Sequence, residues 1–215
     1  MKRRVGIALM LFGALLLTAA LALAAYNASE ENEAEKASSE YLERLIAAIP
    51  ESPAIPNGSD APLDVETDTS DDREGSLSEP EYADNMAVIE LDGYEFVGYI
   101  SIPKLGIQLP VMSETEGKLL KLSPCRFSGS PMAGNLVIGA HNYSRHFGSI
   151  DELSQGDSVI FADMEGGLWR YRVVFVEILD PNSVEYLTDG EYPLTLYTCV
   201  YGGKQRVTVR CEAEG

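Results

Sequence analysis

Basic residues are scarce in this chain. It carries 16 Lys and Arg against 34 Asp and Glu, a net charge of −18, and its sequence pI is about 4.4. That balance excludes nucleic acid as a partner, because phosphates are held by Lys and Arg. Histidine is scarcer still: His141 and His146 are the only two. Neither C-x-x-C nor H-x-x-x-H spacing occurs, so metal binding is a weak option and the sequence implies no cofactor. The three cysteines are an odd number, which rules out complete internal pairing. The C-G-x-C-W signature of papain-like proteases is missing, and the histidines precede Cys199. No internal repeat is present.

One long hydrophobic run is present. Residues 5–25 are uncharged and almost wholly Ala, Leu, Val, Ile, Met and Phe. At ~1.5 Å of rise per residue they span roughly 31 Å, the thickness of a hydrocarbon core. Lys2, Arg3 and Arg4 precede the run, and Glu30, Glu31 and Glu33 follow it. The positive-inside rule then places residues 1–4 in the cytoplasm and everything after the run outside. The competing reading is a signal peptide cleaved at Ala22-Leu23-Ala24, but the run exceeds a typical h-region of about 7–15 residues. An uncleaved single-pass anchor in the cell membrane is the reading adopted.

Acid dominates from Glu30 to Asp84, where Lys36, Arg44 and Arg73 are the only basic residues. Ala34, Ala37, Tyr41, Leu45 and Ile49 fall at helical spacing and predict a short stalk helix that Pro50 ends. Residues 51–85 are rich in Pro, Ser, Asp and Glu, a composition that cannot bury enough apolar surface to offset its ordering entropy. Residues 26–85 are therefore expected to be an acidic stalk and disordered linker, with the folded domain over 86–215.

Within that domain, strands are predicted over 94–102, 107–111, 135–140, 158–162 and 168–179. A short helix is predicted over 114–122, a helical turn over 147–153 and a turn of helix over 183–187. Two strands close the chain. Thr195-Leu196-Tyr197-Thr198-Cys199 reads as one, Gly202-Gly203 as a turn, and 205–211 as the next, with strict alternation. Val207 and Val209 take one face of that last strand; Arg206, Thr208 and Arg210 take the other. Many short strands with few helices argue a closed or nearly closed all-β barrel.

Cys199 stands where its strand ends, and His141 ends a buried strand in the same way. If those strands are parallel neighbours, thiol and imidazole share a rim, with a guanidinium rising from the next strand. A cation beside a thiol favours the reactive thiolate. Thiol, imidazole and guanidinium together supply a nucleophile, an acid/base and an oxyanion stabiliser. The blander alternative is a buried cysteine and a structural histidine.

These residues resemble a known family. Thr195-Leu196-Tyr197-Thr198-Cys199 with Arg206 is similar to the T-L-x-T-C…R signature of sortases, the surface cysteine transpeptidases of Gram-positive bacteria. Tyr99 to Ile107, with Leu109-Pro110-Val111, resembles their opening strands. Asn135 to Asn142 resembles the segment carrying their catalytic His, with Ala140 where a Gly often stands. Leu153 with Gly156-Asp157 resembles their L-x-x-G-D turn.

The resemblance implies an eight-stranded sortase-type β-barrel with Cys199 as nucleophile, His141 as acid/base and Arg206 as stabiliser of substrate and oxyanion. Arg210, on the same strand face, remains the competitor for that last role. Thr198 is expected to help shape the substrate-binding site, and His146 has no assigned catalytic role. The implied partners are secreted proteins with an L-P-x-T-G-like sorting signal, and an amine acceptor from peptidoglycan precursor or a pilin Lys. No second hydrophobic span follows the barrel and no Asp-Pro-aromatic lid motif precedes it, so a class B- or D-like enzyme with a single N-terminal anchor is expected. Glu114 and Glu116 are too sparse a signal for a calcium site. Cys125 and Cys211 are either a disulfide or two buried thiols. The alternatives to a transpeptidase are a non-catalytic binding module on the same barrel and a hydrolytic cysteine protease.

Overall fold

A computed structural model of the protein describes residues 2–50, 86–188, 191–200 and 202–214. The linker expected over 51–85 lies outside the described residues. The first helix, α1 (Lys2–Ala48), is continuous. The sequence predicts an apolar span and a separate stalk helix; the structure fuses them. Neither Gly nor Pro occurs between Ala25 and Pro50, and Ala, Glu, Lys and Leu are good helix formers, so nothing interrupts the backbone ladder.

The two halves of α1 differ in what they touch. Leu11, Phe12, Leu15, Leu16, Leu21 and Leu23 are exposed, on a helix long and apolar enough to cross a membrane. Further along, Ala34, Leu45 and Ile49 are buried. Leu45 and Ile49 pack with Phe96, Tyr99, Met112, Cys125, Ala162 and Met164, and the Tyr41 ring lies 5.1 Å from that of Phe96. Burial of each aliphatic side chain contributes about 1.5–3 kcal/mol. The stretch expected to be a stalk helix is docked on the barrel through a core of its own.

The remaining elements are strands β1 (Ile89–Leu91), β2 (Tyr94–Ile102), β3 (Ile107–Met112), β4 (Cys125–Ser128), β5 (Leu136–Ala140), β6 (Ser158–Asp163) and β7 (Leu168–Leu179), helix α2 (Val184–Leu187), and strands β8 (Leu194–Val200) and β9 (Gln205–Ala213). Eight strands run in the order β2-β3-β4-β5-β8-β9-β7-β6, and β6 pairs back onto β2, closing the barrel. The short β1 pairs with the start of β2, at Tyr94 to Phe96, beyond the stretch that β6 occupies. Alternation fills the interior: Leu136, Ile138, Leu194, Leu196, Val207, Val209 and Cys211 point inward with Ile100, Val111, Phe161 and Val173.

Several local expectations are corrected. The helix predicted over 114–122 is only a 3₁₀ turn at Leu119–Lys121, whereas the helical turn predicted over 147–153 is present as a 3₁₀ turn at Ile150–Glu152. β1 and β4 are not foreseen, each being too short to show a period. Cys125 and Cys211 are free and buried in different clusters, so they are two thiols, each pushed up to about 12 by burial.

Candidate active site

β5 and β8 are parallel neighbours, with Ala140 paired to Thr198. The residues that follow, His141 and Cys199, therefore leave the two strands at the same level. On the other side of β8, antiparallel β9 sets Arg206 directly opposite Cys199. Adjacent strands lie about 4.8 Å apart, so the three residues form a row across roughly 10 Å of barrel rim. Gly202 and Gly203, at φ 69° and 82°, adopt the left-handed conformation that lets the chain reverse and return Arg206 to that row.

Cys199 and Arg206 lie on the outer face. Cys199 shares its side of β8 with Tyr197, which packs outside the barrel with Val137 and Leu187. The Tyr197 ring lies over Gly139, where an added Cβ would stand 2.4 Å from it. The Arg206 guanidinium sits 5.4 Å from the Tyr197 ring centroid, and among the described residues its buried Nε and Nη1 have no hydrogen-bond partner. Cys199 itself is exposed. The row thus presents an accessible thiol beside a guanidinium with donors to spare.

Arg210 is arranged differently. It is buried, and its Nε donates to Glu177 at 2.9 Å, its Nη1 to Thr195 Oγ1 at 3.1 Å and its Nη2 to the Tyr186 carbonyl. Its contact with Glu177 is an ion pair. Thr198 is also committed: it is buried in the barrel and its Oγ1 donates to the Ala140 carbonyl at 2.9 Å. Its side chain faces away from Cys199. It ties β8 to β5 one residue before His141.

His141 stacks on Tyr143, ring centroids 4.2 Å apart and planes 21° from parallel. Burial holds its imidazole below the ordinary histidine range, with the Lys121 charge acting in the same sense and Asn142 and Glu30 opposing. Its neighbour His146 is buried, with both ring nitrogens unpartnered among the described residues, and is pushed down to about 4 by burial and then by His141. Among the described residues no group of three or more His, Cys, Asp or Glu is placed to hold a metal.

Sequence reasoning misses Tyr143, Glu30 and Glu31 at this site. An aromatic two residues beyond a candidate histidine is a readable hint for Tyr143. Nothing local connects the two glutamates to His141.

A family model described as Sortase domain matches residues 100–214. A sortase A of Bacillus anthracis is 33% identical over 130 residues, which cover 58% of this chain and 61% of that relative, so the chain spans about three-fifths of its length. Among solved structures, sortase C1 of Streptococcus agalactiae is similar at 29% identity and TM-score 0.51, over 59% of this chain and 71% of that one. A lid mutant of sortase A from Corynebacterium diphtheriae shares the fold at 21% identity and TM-score 0.51, over 57% of this chain and 72% of the other.

Proposed function

The chain belongs to the sortase family, and on that premise we propose that it is a membrane-anchored cysteine transpeptidase acting on sorting signals of the L-P-x-T-G type. The observation that carries this reading is the row His141, Cys199 and Arg206 on three neighbouring strands. Cys199 Sγ attacks the Thr carbonyl carbon of the signal. Arg206, whose Nε and Nη1 are unspent, donates to the carbonyl oxygen as it gains negative charge. His141 gives a proton to the leaving amine of the following residue, and the peptide bond breaks to leave a thioester on Cys199. An incoming amine then attacks the thioester, His141 takes its proton, and the Cys199 thiolate departs.

The acceptor proposed is a peptidoglycan-precursor amine or a pilin Lys. Thr198 contributes indirectly, by fixing the β5–β8 register one residue before both reacting groups. The basic residues before the apolar run support a cytoplasmic N-terminus, residues 5–25 as the span and a catalytic domain over 86–215 outside the cell, with α1 docked on it.

The test is an L-P-x-T-G peptide offered with and without an added amine. The wild-type chain should cleave it and join the Thr carbonyl to the amine. Cys199→Ala should abolish both steps without unfolding the barrel, and His141→Ala should slow both by about 10²–10⁴-fold. A product distribution indifferent to amine would indicate a hydrolase, and binding without turnover a non-catalytic module.

A further inference from the structure

The loop that leaves β5 at His141 is only partly held by its own backbone. His146 and Gly148 N–H groups both donate to the Tyr143 carbonyl at 2.9 Å, and Phe147 N–H donates to the His141 carbonyl at 3.3 Å. Ser144 is held from outside. Its amide and its hydroxyl both donate to Glu31 Oε1 on α1, the hydroxyl at 2.5 Å. The Ser144 hydroxyl keeps the Glu31 carboxyl below its usual range, against the opposing effect of burial.

Two ion pairs flank this contact. Glu30 meets Lys121 at 3.2 Å and Glu35 meets Arg145 at 3.6 Å. The helix supplying these carboxylates is pinned further along by buried Leu45 and Ile49 and by the Arg44–Asp92 pair at 2.5 Å. Glu31 is therefore a fixed acceptor. Tyr143, whose ring stacks on His141, immediately precedes Ser144.

We propose that Glu31 is a positioning residue for His141: by accepting both Ser144 hydrogen bonds it fixes the loop and holds the Tyr143 ring against the imidazole. The catalytic part of this inference rests on the reading of His141 as the acid/base. What matters is acceptor geometry, so Glu31→Gln should serve where Glu31→Ala does not.

The experiment uses the full chain in detergent micelles and two readouts: the ring resonances of His141, assigned with His141→Ala, and single-turnover acylation by an L-P-x-T-G peptide. Glu31→Ala should shift and broaden the His141 resonances and slow acylation by about 10- to 100-fold with little change in KM, the cost of a misplaced reacting group. Glu31→Gln should restore both to near wild type. Glu33→Ala removes the same charge from an exposed site two residues away and should change neither. Ser144→Ala, which deletes only the hydroxyl donor, should give a smaller shift in the same direction and serves if Glu31→Ala does not fold.

Unchanged His141 resonances in Glu31→Ala and Ser144→Ala overturn the proposal. So does an equal effect of Glu33→Ala, or failure of Glu31→Gln to rescue. If the wild-type chain acylates no peptide, the transpeptidase reading fails, and the ring resonances alone decide whether Glu31 positions His141.

Discussion

Two arginines share one face of β9 and have opposite employment. Arg210 has partners for its donors and is 2% exposed, whereas Arg206 has a row position beside Cys199 and unspent donors. Arg206→Lys keeps the charge and loses the planar fork, so single-turnover acylation should fall strongly. Arg210→Lys should still acylate but lose about 1–3 kcal/mol in denaturant titration, because buried acceptors are left unmet. A near-normal Arg206→Lys beside a dead Arg210→Lys would reverse the assignment. His146 gives a pH prediction. Its pKa falls from 6.5 to about 4 on folding, so the unfolded chain binds the extra proton between those values. The associated stability is complete above about pH 6.5 and is lost as pH falls toward 4. By pH 5 the loss should be on the order of 2 kcal/mol. His146→Phe, which removes the titrating group from a site offering it no hydrogen bond, should flatten that part of the stability curve.

The elements that build the row are those the sequence shows best. β8 and β9 are legible from Leu194, Leu196 and Tyr197 and from the alternation of Val207 and Val209 with Arg206, Thr208 and Arg210. Their pairing follows from a tight glycine turn. The parallel pairing of β5 with β8 is legible only as a condition, since Ala140 and Thr198 are 58 residues apart and side-chain pattern does not name a partner strand. β4 is hidden because Cys-Arg-Phe-Ser is too short to display a period, and the structure, not the sequence, shows it as a strand, paired with β5 and through one bridge with β3. The docking of α1 is hidden for a different reason. Ala34, Leu45 and Ile49 announce an apolar face, but Phe96, Tyr99 and Met112 look like ordinary barrel positions. Two substitutions probe these elements. Leu45→Ala should cost about 2–5 kcal/mol in thermal or chemical unfolding if the face is a true core. Gly139→Ala puts a Cβ into the Tyr197 ring; it should cost about 1–3 kcal/mol and also slow acylation, since that ring lies beneath Arg206.

At the scale of the whole molecule, an acidic chain with 34 carboxylates carries a barrel on one uninterrupted helix. Glu31 follows Ala25, the last residue of the apolar run, by six positions, a rise of about 9 Å along the helix. The loop it grips, and His141 with it, thus stands just beyond the headgroup layer, about 5–7.5 Å deep, of the bilayer that the run is proposed to cross. A seven-residue helical insertion after Ala25 would lift the barrel by about 10 Å while nearly restoring the helix face. Turnover of a soluble peptide should be unchanged in that variant, and turnover of a substrate embedded in the same vesicle should drop. The unbroken helix acts as a mast of set height. On the proposed anchoring and chemistry, the protein searches an area and not a volume, and its rate should follow how crowded with substrate that leaflet is.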